Sequence, residues 1–100
     1  MAIGFPDWSL RQYSSAYEEE QQKASVTATA SDLTFTTTVH SWRLYNDGPN
    51  ACYYAIGETA DTDNFKIPAK SWIMEDAPVT VISLVCAAGE TATVYAVGLR

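Results

Sequence analysis

From Ser25 onward, apolar and β-branched side chains recur at every second position and the runs are broken by short clusters of turn residues. A chain with that period buries its apolar groups on one face of pleated strands, and little else will do it. Ser25 to Ala30 alternates, Ser31-Asp32 turns, and Leu33 to Thr38 alternates again with Leu33 and Phe35 on one side. In Val39 to Tyr45, His40, Trp42 and Leu44 share one face while Val39, Ser41, Arg43 and Tyr45 share the other. Both faces of that strand carry aromatic side chains.

Asn46-Asp47-Gly48-Pro49-Asn50 has the strongest turn chemistry in the chain, and it predicts a tight reversal into a strand over Ala51 to Gly57. Glu58 to Asn64 reads as a polar connection, and short strands are expected at Phe65-Lys66-Ile67 and at Ser71 to Glu75. The run Val79 to Cys86 is apolar on both faces, which marks a central strand covered on each side. Ala87-Ala88-Gly89-Glu90 then predicts a reversal, with Thr91 to Val97 returning as its antiparallel partner. About seven or eight short strands bounded in this way predict an all-β fold, an antiparallel β-sandwich of jelly-roll-like or Ig-like winding.

Residues 1–24 have a different character. Leu10, Tyr13 and Tyr17 fall at helical spacing behind the possible caps Asp7 and Ser9, but Glu18 to Lys23 is wholly polar. The segment reads as an N-terminal arm or short helix that docks outside the main core, with residues 25–100 forming the sandwich. Phe5, Trp8, Tyr13 and Tyr17 are too much aromatic surface to leave in water, so Phe5, Trp8, Leu10, Tyr13 and Tyr17 are the expected oligomer or capsid contacts.

Charged residues make up 18% of the chain, below the ~25% usual for a soluble domain. Threonine covers much of the difference on the expected strands, a composition suited to a surface partly covered by other protein. The net charge is −6 and the six basic residues stand singly, so no cationic patch is offered to nucleic acid. No apolar run approaches the ~20 residues that cross a bilayer as a helix, and the expectation is a chain with no membrane partner. Cys52 and Cys86 read as buried free thiols.

Catalytic chemistry finds little purchase. His40 is the single histidine, and Ser41 beside it points to the opposite face of the same strand. Asp61-Thr62-Asp63-Asn64 begins like a calcium loop, but Phe65 takes the next ligand position and Trp72 stands where the bidentate glutamate belongs. Glu58, Asp61, Asp63, Glu75 and Asp76 are expected at strand ends and in loops as solvated carboxylates. No cofactor, metal or catalytic residue is expected. Trp42, Tyr45, Tyr53, Tyr54 and Trp72 form the one set from which a sugar-stacking platform could be drawn, against core packing or a subunit contact as the plainer role.

The stretch from Leu44 to Gly57 (LYNDGPNACYYAIG), followed by Phe65 to Ala69 (FKIPA) and Val81 to Tyr95 (VISLVCAAGETATVY), resembles the small β-sandwich virion proteins of tailed bacteriophages. The resemblance covers roughly the last 60 residues and lies in the general pattern, in which a strand ends in an Asn-x-Gly turn, a strand of small and aromatic residues follows, and a final hairpin turns at Ala-Gly-Glu. It implies a non-enzymatic structural protein assembled in the bacterial host cytoplasm into the virion. The role implied is capsid decoration or cement, or else a neck or tail component. The implied partners are major capsid or neck and tail subunits, with further copies of the chain in a homo-oligomer, a trimer or ring. A carbohydrate-binding module using the aromatic platform is the alternative from another class.

Overall fold

The computed structural model describes residues 19–100. Among the described residues there are eight strands: β1 (Glu19–Val26), β2 (Ser31–Val39), β3 (Ser41–Pro49), β4 (Cys52–Ala55), β5 (Phe65–Ile67), β6 (Ser71–Glu75), β7 (Val79–Cys86) and β8 (Ala92–Leu99). They form two four-stranded sheets, sheet A in the order β1-β8-β3-β6 and sheet B in the order β2-β7-β4-β5, with every pairing antiparallel. The expected all-β sandwich is therefore what the chain forms.

The pairings β1 with β8, β2 with β7, β3 with β6 and β4 with β5 describe one long hairpin, its tip at the β4–β5 connection, wrapped so that its two arms close into facing sheets. This is jelly-roll winding. Of the two windings expected, it is the jelly roll and not the Ig arrangement that occurs. Three local expectations are corrected with it. Asn46 to Asn50 does not return β3 onto β4 as a hairpin; β3 runs through Asn46 to Pro49 with a register shift against β8, and the chain then crosses to sheet B. Val79–Cys86 and the last strand are not partners, because β7 lies between β2 and β4 whereas β8 lies between β1 and β3. The sandwich begins at Glu19, earlier than the expected Ser25, because Glu19 to Val26 pairs residue by residue with Leu99 to Ala92.

The core lies between the sheets and is supplied by every second residue. Val26, Leu33, Phe35, Leu44, Ile67, Ile82, Leu84 and Val94 are each at most 2% exposed. β7 is buried on both faces over its second half, as expected of a central strand. Its outer face is covered by the β4–β5 connection, where Ala60 packs with Ala55 and Val85 and donates its N–H to Ser83 Oγ at 2.9 Å. Cys52 and Cys86 are buried, unbonded to each other and directly opposite on β4 and β7; burial, then the neighbouring Cys86, pushes the Cys52 thiol up to about 12.

Two positions show how tightly the wrap is closed. At Gly48 the backbone takes φ +87, which glycine adopts without steric cost, immediately before the cis peptide to Pro49. At Gly98, on the inner face of β8, an added Cβ would lie 2.7 Å from Val39 Cγ1 and 3.0 Å from Phe35 Cε1. Gly98→Ala is expected to cost about 1–3 kcal/mol by overpacking. A urea titration should show a lower midpoint with an unchanged slope, and an unchanged midpoint would mean that β8 and Val39 separate easily.

Candidate interaction surface

The outer faces of the two sheets differ in kind. On sheet B, β2 exposes Thr34, Thr36, Thr37 and Thr38, with Thr38 and Thr80 sharing a hydrogen bond at 2.9 Å, Val81 of β7 is 38% exposed, and the β4–β5 connection packs over Val85. On sheet A the register brings together residues far apart in the chain. Lys23, Tyr95, Tyr45 and Trp72 form one row across the four strands, and Gln21, Val97, Arg43 and Met74 form the next. Glu19, Leu99 and Ser41 continue the pattern toward the end of the sheet.

Two rings of the first row touch, and cations lie near two of its rings. Tyr45 and Trp72 have centroids 4.8 Å apart with planes tilted at 45°, the Arg43 guanidinium lies 5.5 Å from the Trp72 ring, and Lys23 Nζ lies 5.6 Å from that of Tyr95. Trp72 is nonetheless 58% exposed and Met74 68%. Between the second and third rows runs a shallow groove of about 240 Å3 whose walls include Glu19, Arg43, Met74, Glu75, Val97 and Leu99.

The cause lies in how β8 distributes its side chains. Its inward positions are Ala92, Val94, Ala96 and Gly98, small enough to admit Phe35 and Val39 from the opposite sheet, while its outward positions are Thr93, Tyr95, Val97 and Leu99. The larger apolar groups therefore face away from the core. Exposed apolar side chains grouped in this way mark contact surfaces.

β1 is held against both sheets by a buried carboxylate. Glu20 Oε2 accepts the Thr36 N–H at 2.8 Å and a bond from Gln22 Nε2, and Oε1 accepts the Thr36 hydroxyl and Arg100 Nη2, each at 2.9 Å. Burial disfavours the ionised form, but these four donors outweigh it and hold the carboxyl down at about 2. A folded-state value below the ordinary one gives stability that is present above about pH 5 and lost as the pH falls toward 2. The melting temperature of the wild type is expected to fall across that window, and that of Glu20→Gln to start lower and vary less. Parallel curves would show that Glu20 does not set the acid dependence. Although it belongs to the wholly polar run from Glu18 to Lys23, Glu20 is only 8% exposed.

The other sequence candidates fall as follows. His40 sits exposed at the bend between β2 and β3 rather than on a face with Trp42 and Leu44. It shares a shallow pocket with Ser41 and Asp76, yet no hydrogen bond joins the three among the described residues, so no proton path links them. Asp61 and Asn64 close their own turn, through Asp63 N–H to Asp61 Oδ1 at 2.8 Å and Asp61 N–H to Asn64 Oδ1 at 2.7 Å. Among the described residues no three His, Cys, Asp or Glu side chains are placed to hold a metal ion.

The five aromatic residues of the expected platform separate. Trp42 is buried and meets Tyr54 edge-on at 5.9 Å, Tyr54 stacks on exposed Phe65 at 6.1 Å, and Tyr53 belongs to the outer side of sheet B. Tyr45 and Trp72 are the two that come together on the outer face of sheet A, and the surface is completed by Tyr95, Met74, Arg43, Val97 and Leu99, none of which was expected in it. The inverted size pattern of β8 was the signal for Tyr95, Val97 and Leu99, whereas Arg43 and Met74 join them through the register of β3 on β6. Phe5, Trp8, Leu10, Tyr13 and Tyr17, and whether their segment is an arm or a helix, lie outside the described residues. Compared with protein-family models, curated proteins and solved structures, the chain gives no match.

Proposed function

We propose that the chain is a non-enzymatic structural protein of a tailed-bacteriophage virion that docks through the outer face of sheet A. The observation that carries this reading is the cluster Tyr45, Trp72, Met74, Tyr95, Val97 and Arg43, which the register of sheet A places side by side on one face. Trp, Tyr, Met and Arg are the residues enriched at protein interfaces, and Lys and Glu the depleted ones. A sheet face of this composition serves a protein partner. Burying one large apolar side chain contributes about 1.5–3 kcal/mol, and repetition over many lattice sites multiplies the effect.

Capsid decoration or cement is the role we place first, and a neck or tail component second, with major capsid or neck and tail subunits as partners and further copies in a trimer or ring. The jelly-roll winding is compatible by analogy alone, since viral capsid and lectin domains both use it. Mass spectrometry of gradient-purified particles from the phage that encodes the chain is the test. Many copies per particle are expected, and particles that lack the chain while the lysate retains it would overturn the proposal.

One observation favours the carbohydrate-binding reading as a second: the register sets the rings of Tyr95, Tyr45 and Trp72 in one row on adjacent strands of an exposed face, with Tyr45 and Trp72 in contact, and sugar rings stack on exposed aromatic side chains. Saturable quenching of tryptophan fluorescence by soluble glycans, abolished in Trp72→Ala, would decide for it. Absence of saturation decides against it.

A further inference from the structure

We infer that Cys52 and Cys86 form a cross-strand disulfide site, held as a dithiol in a reducing compartment and closed by a low-molecular-weight disulfide outside one, so that β4 is fastened to β7. The two are the chain's only cysteines. The register sets them directly opposite each other on neighbouring strands, and both side chains are buried in the core between the sheets.

The backbone fixes what kind of pair they are. Cys86 donates its N–H at 2.8 Å to the carbonyl of Thr27, in the turn that leads into β2, and β7 lies between β2 and β4. A residue in an antiparallel ladder sends its N–H and C=O to the same side, so neither group of Cys86 faces β4. Cys52 and Cys86 are therefore a non-hydrogen-bonded pair, the closer of the two kinds, with Cα atoms about 4.5 Å apart. A disulfide spans Cα atoms about 4.4–6.8 Å apart. The opposed Cβ atoms need approach by only about 1 Å to reach disulfide spacing. Closure forfeits one weak contact, from Cys86 Sγ to the Val26 carbonyl at 3.8 Å.

The position of the pair controls when it reacts. Cys52 begins β4 and Cys86 ends β7, so the pair is the last rung of that ladder, and fraying there exposes both sulfurs without unfolding the sandwich. Burial raises both thiols above their ordinary value, Cys52 to about 12, which leaves little thiolate in the closed core. In a reducing compartment the dithiol persists.

Outside it, the step is a thiol–disulfide exchange. The thiolate of one cysteine attacks a sulfur of the small disulfide RSSR, forming a mixed disulfide and releasing RS−. The thiolate of the other cysteine attacks the protein sulfur of that mixed disulfide and expels the second RS−. The two thiol protons pass to the released thiolates, and the two electrons given up by Cys52 and Cys86 reduce RSSR to two RSH. The new bond closes the chain over β4 to β7 into a loop and so restricts the unfolded state. For a protein carried out of the cytoplasm in a particle, as proposed above, closure follows release. The site itself lies in the core and does not depend on what sheet A docks against.

The test uses the full chain, purified with a thiol reductant, freed of it, and incubated in native buffer with millimolar oxidised glutathione. The intact mass is expected to fall by about 2 Da, the two hydrogens lost on closure. Digestion without reductant should yield peptides joined through Cys52 and Cys86 of one chain. The melting temperature should rise by about 5 °C or more and fall back on treatment with dithiothreitol. Cys86→Ala, its fold checked by circular dichroism, should show no such rise. An unchanged mass, a persistent glutathione adduct, a disulfide between two chains, closure in denaturant alone, or an oxidised chain that melts no higher than the reduced one would each overturn the inference. Incorporation into particles that depends on Trp72 is read separately, so the disulfide site and the docking face fail independently.

Discussion

Asn46→Ala is expected to destabilise the fold by about 3–5 kcal/mol, because removing a fully buried amide would leave three partners without a bond. Asn46 has no solvent exposure. Its Nδ2 donates to the carbonyls of Asn50 and Ile67, each at 2.9 Å, and its Oδ1 accepts the Gly48 N–H at 2.8 Å. Its own carbonyl accepts the Lys70 N–H at 2.6 Å. One side chain therefore ties the end of β3 to the crossing into β4 and to β5, at the place where the chain passes from sheet A to sheet B. Domains of this size hold about 5–15 kcal/mol in all, and at roughly 4–8 °C per kcal/mol the melting temperature should drop by about 12–40 °C. Asn46→Asp should not rescue it, since a carboxylate would face two carbonyl oxygens with nothing to donate. A fall of less than about 5 °C by calorimetry would show that the crossing is held by something other than this amide.

Replacing Trp72 and Met74 together by alanine should reduce binding to the particle by about 100-fold while leaving the isolated fold nearly intact. A buried interface tryptophan commonly accounts for about 2 kcal/mol or more, roughly 30-fold, and a neighbouring methionine adds to it. Both side chains are more than half exposed in the described chain, so the core loses little by their removal. The contacts of Trp72 with Tyr45 and Arg43 are surface contacts worth about 0.5–1.5 kcal/mol, a shift of a few degrees in melting temperature. Co-sedimentation with purified particles separates the two effects. Wild-type binding by a folded double variant would remove the face from the mechanism.

The strands were largely legible in the sequence, and their neighbours were not. β5, β6 and β7 fall where alternation and turn residues place them, because a period of two reports which side of the backbone is buried. It carries no information on which strand lies alongside. Ala87 to Glu90 and Asn46 to Asn50 have the chemistry of a reversal, and each does redirect the chain, but onto the facing sheet instead of the adjacent strand. β1 was hidden for another reason. Its inward-facing Glu20 is satisfied by Thr36, 16 residues away, and by Arg100, 80 residues away, and no local pattern announces such partners. The exposed face of sheet A was half visible: Tyr45 and Trp72 stood among the platform candidates, while joining them to Tyr95 and Met74 required the register of β8 on β3 and β3 on β6.

A reconstruction of the particle at side-chain resolution tests the central claim most directly. Sheet A is expected to lie pressed against a neighbouring virion subunit, with Trp72, Met74 and Tyr95 out of contact with solvent. A chain seated instead by the threonine-rich side of sheet B, with the Trp72 ring facing water, would contradict it.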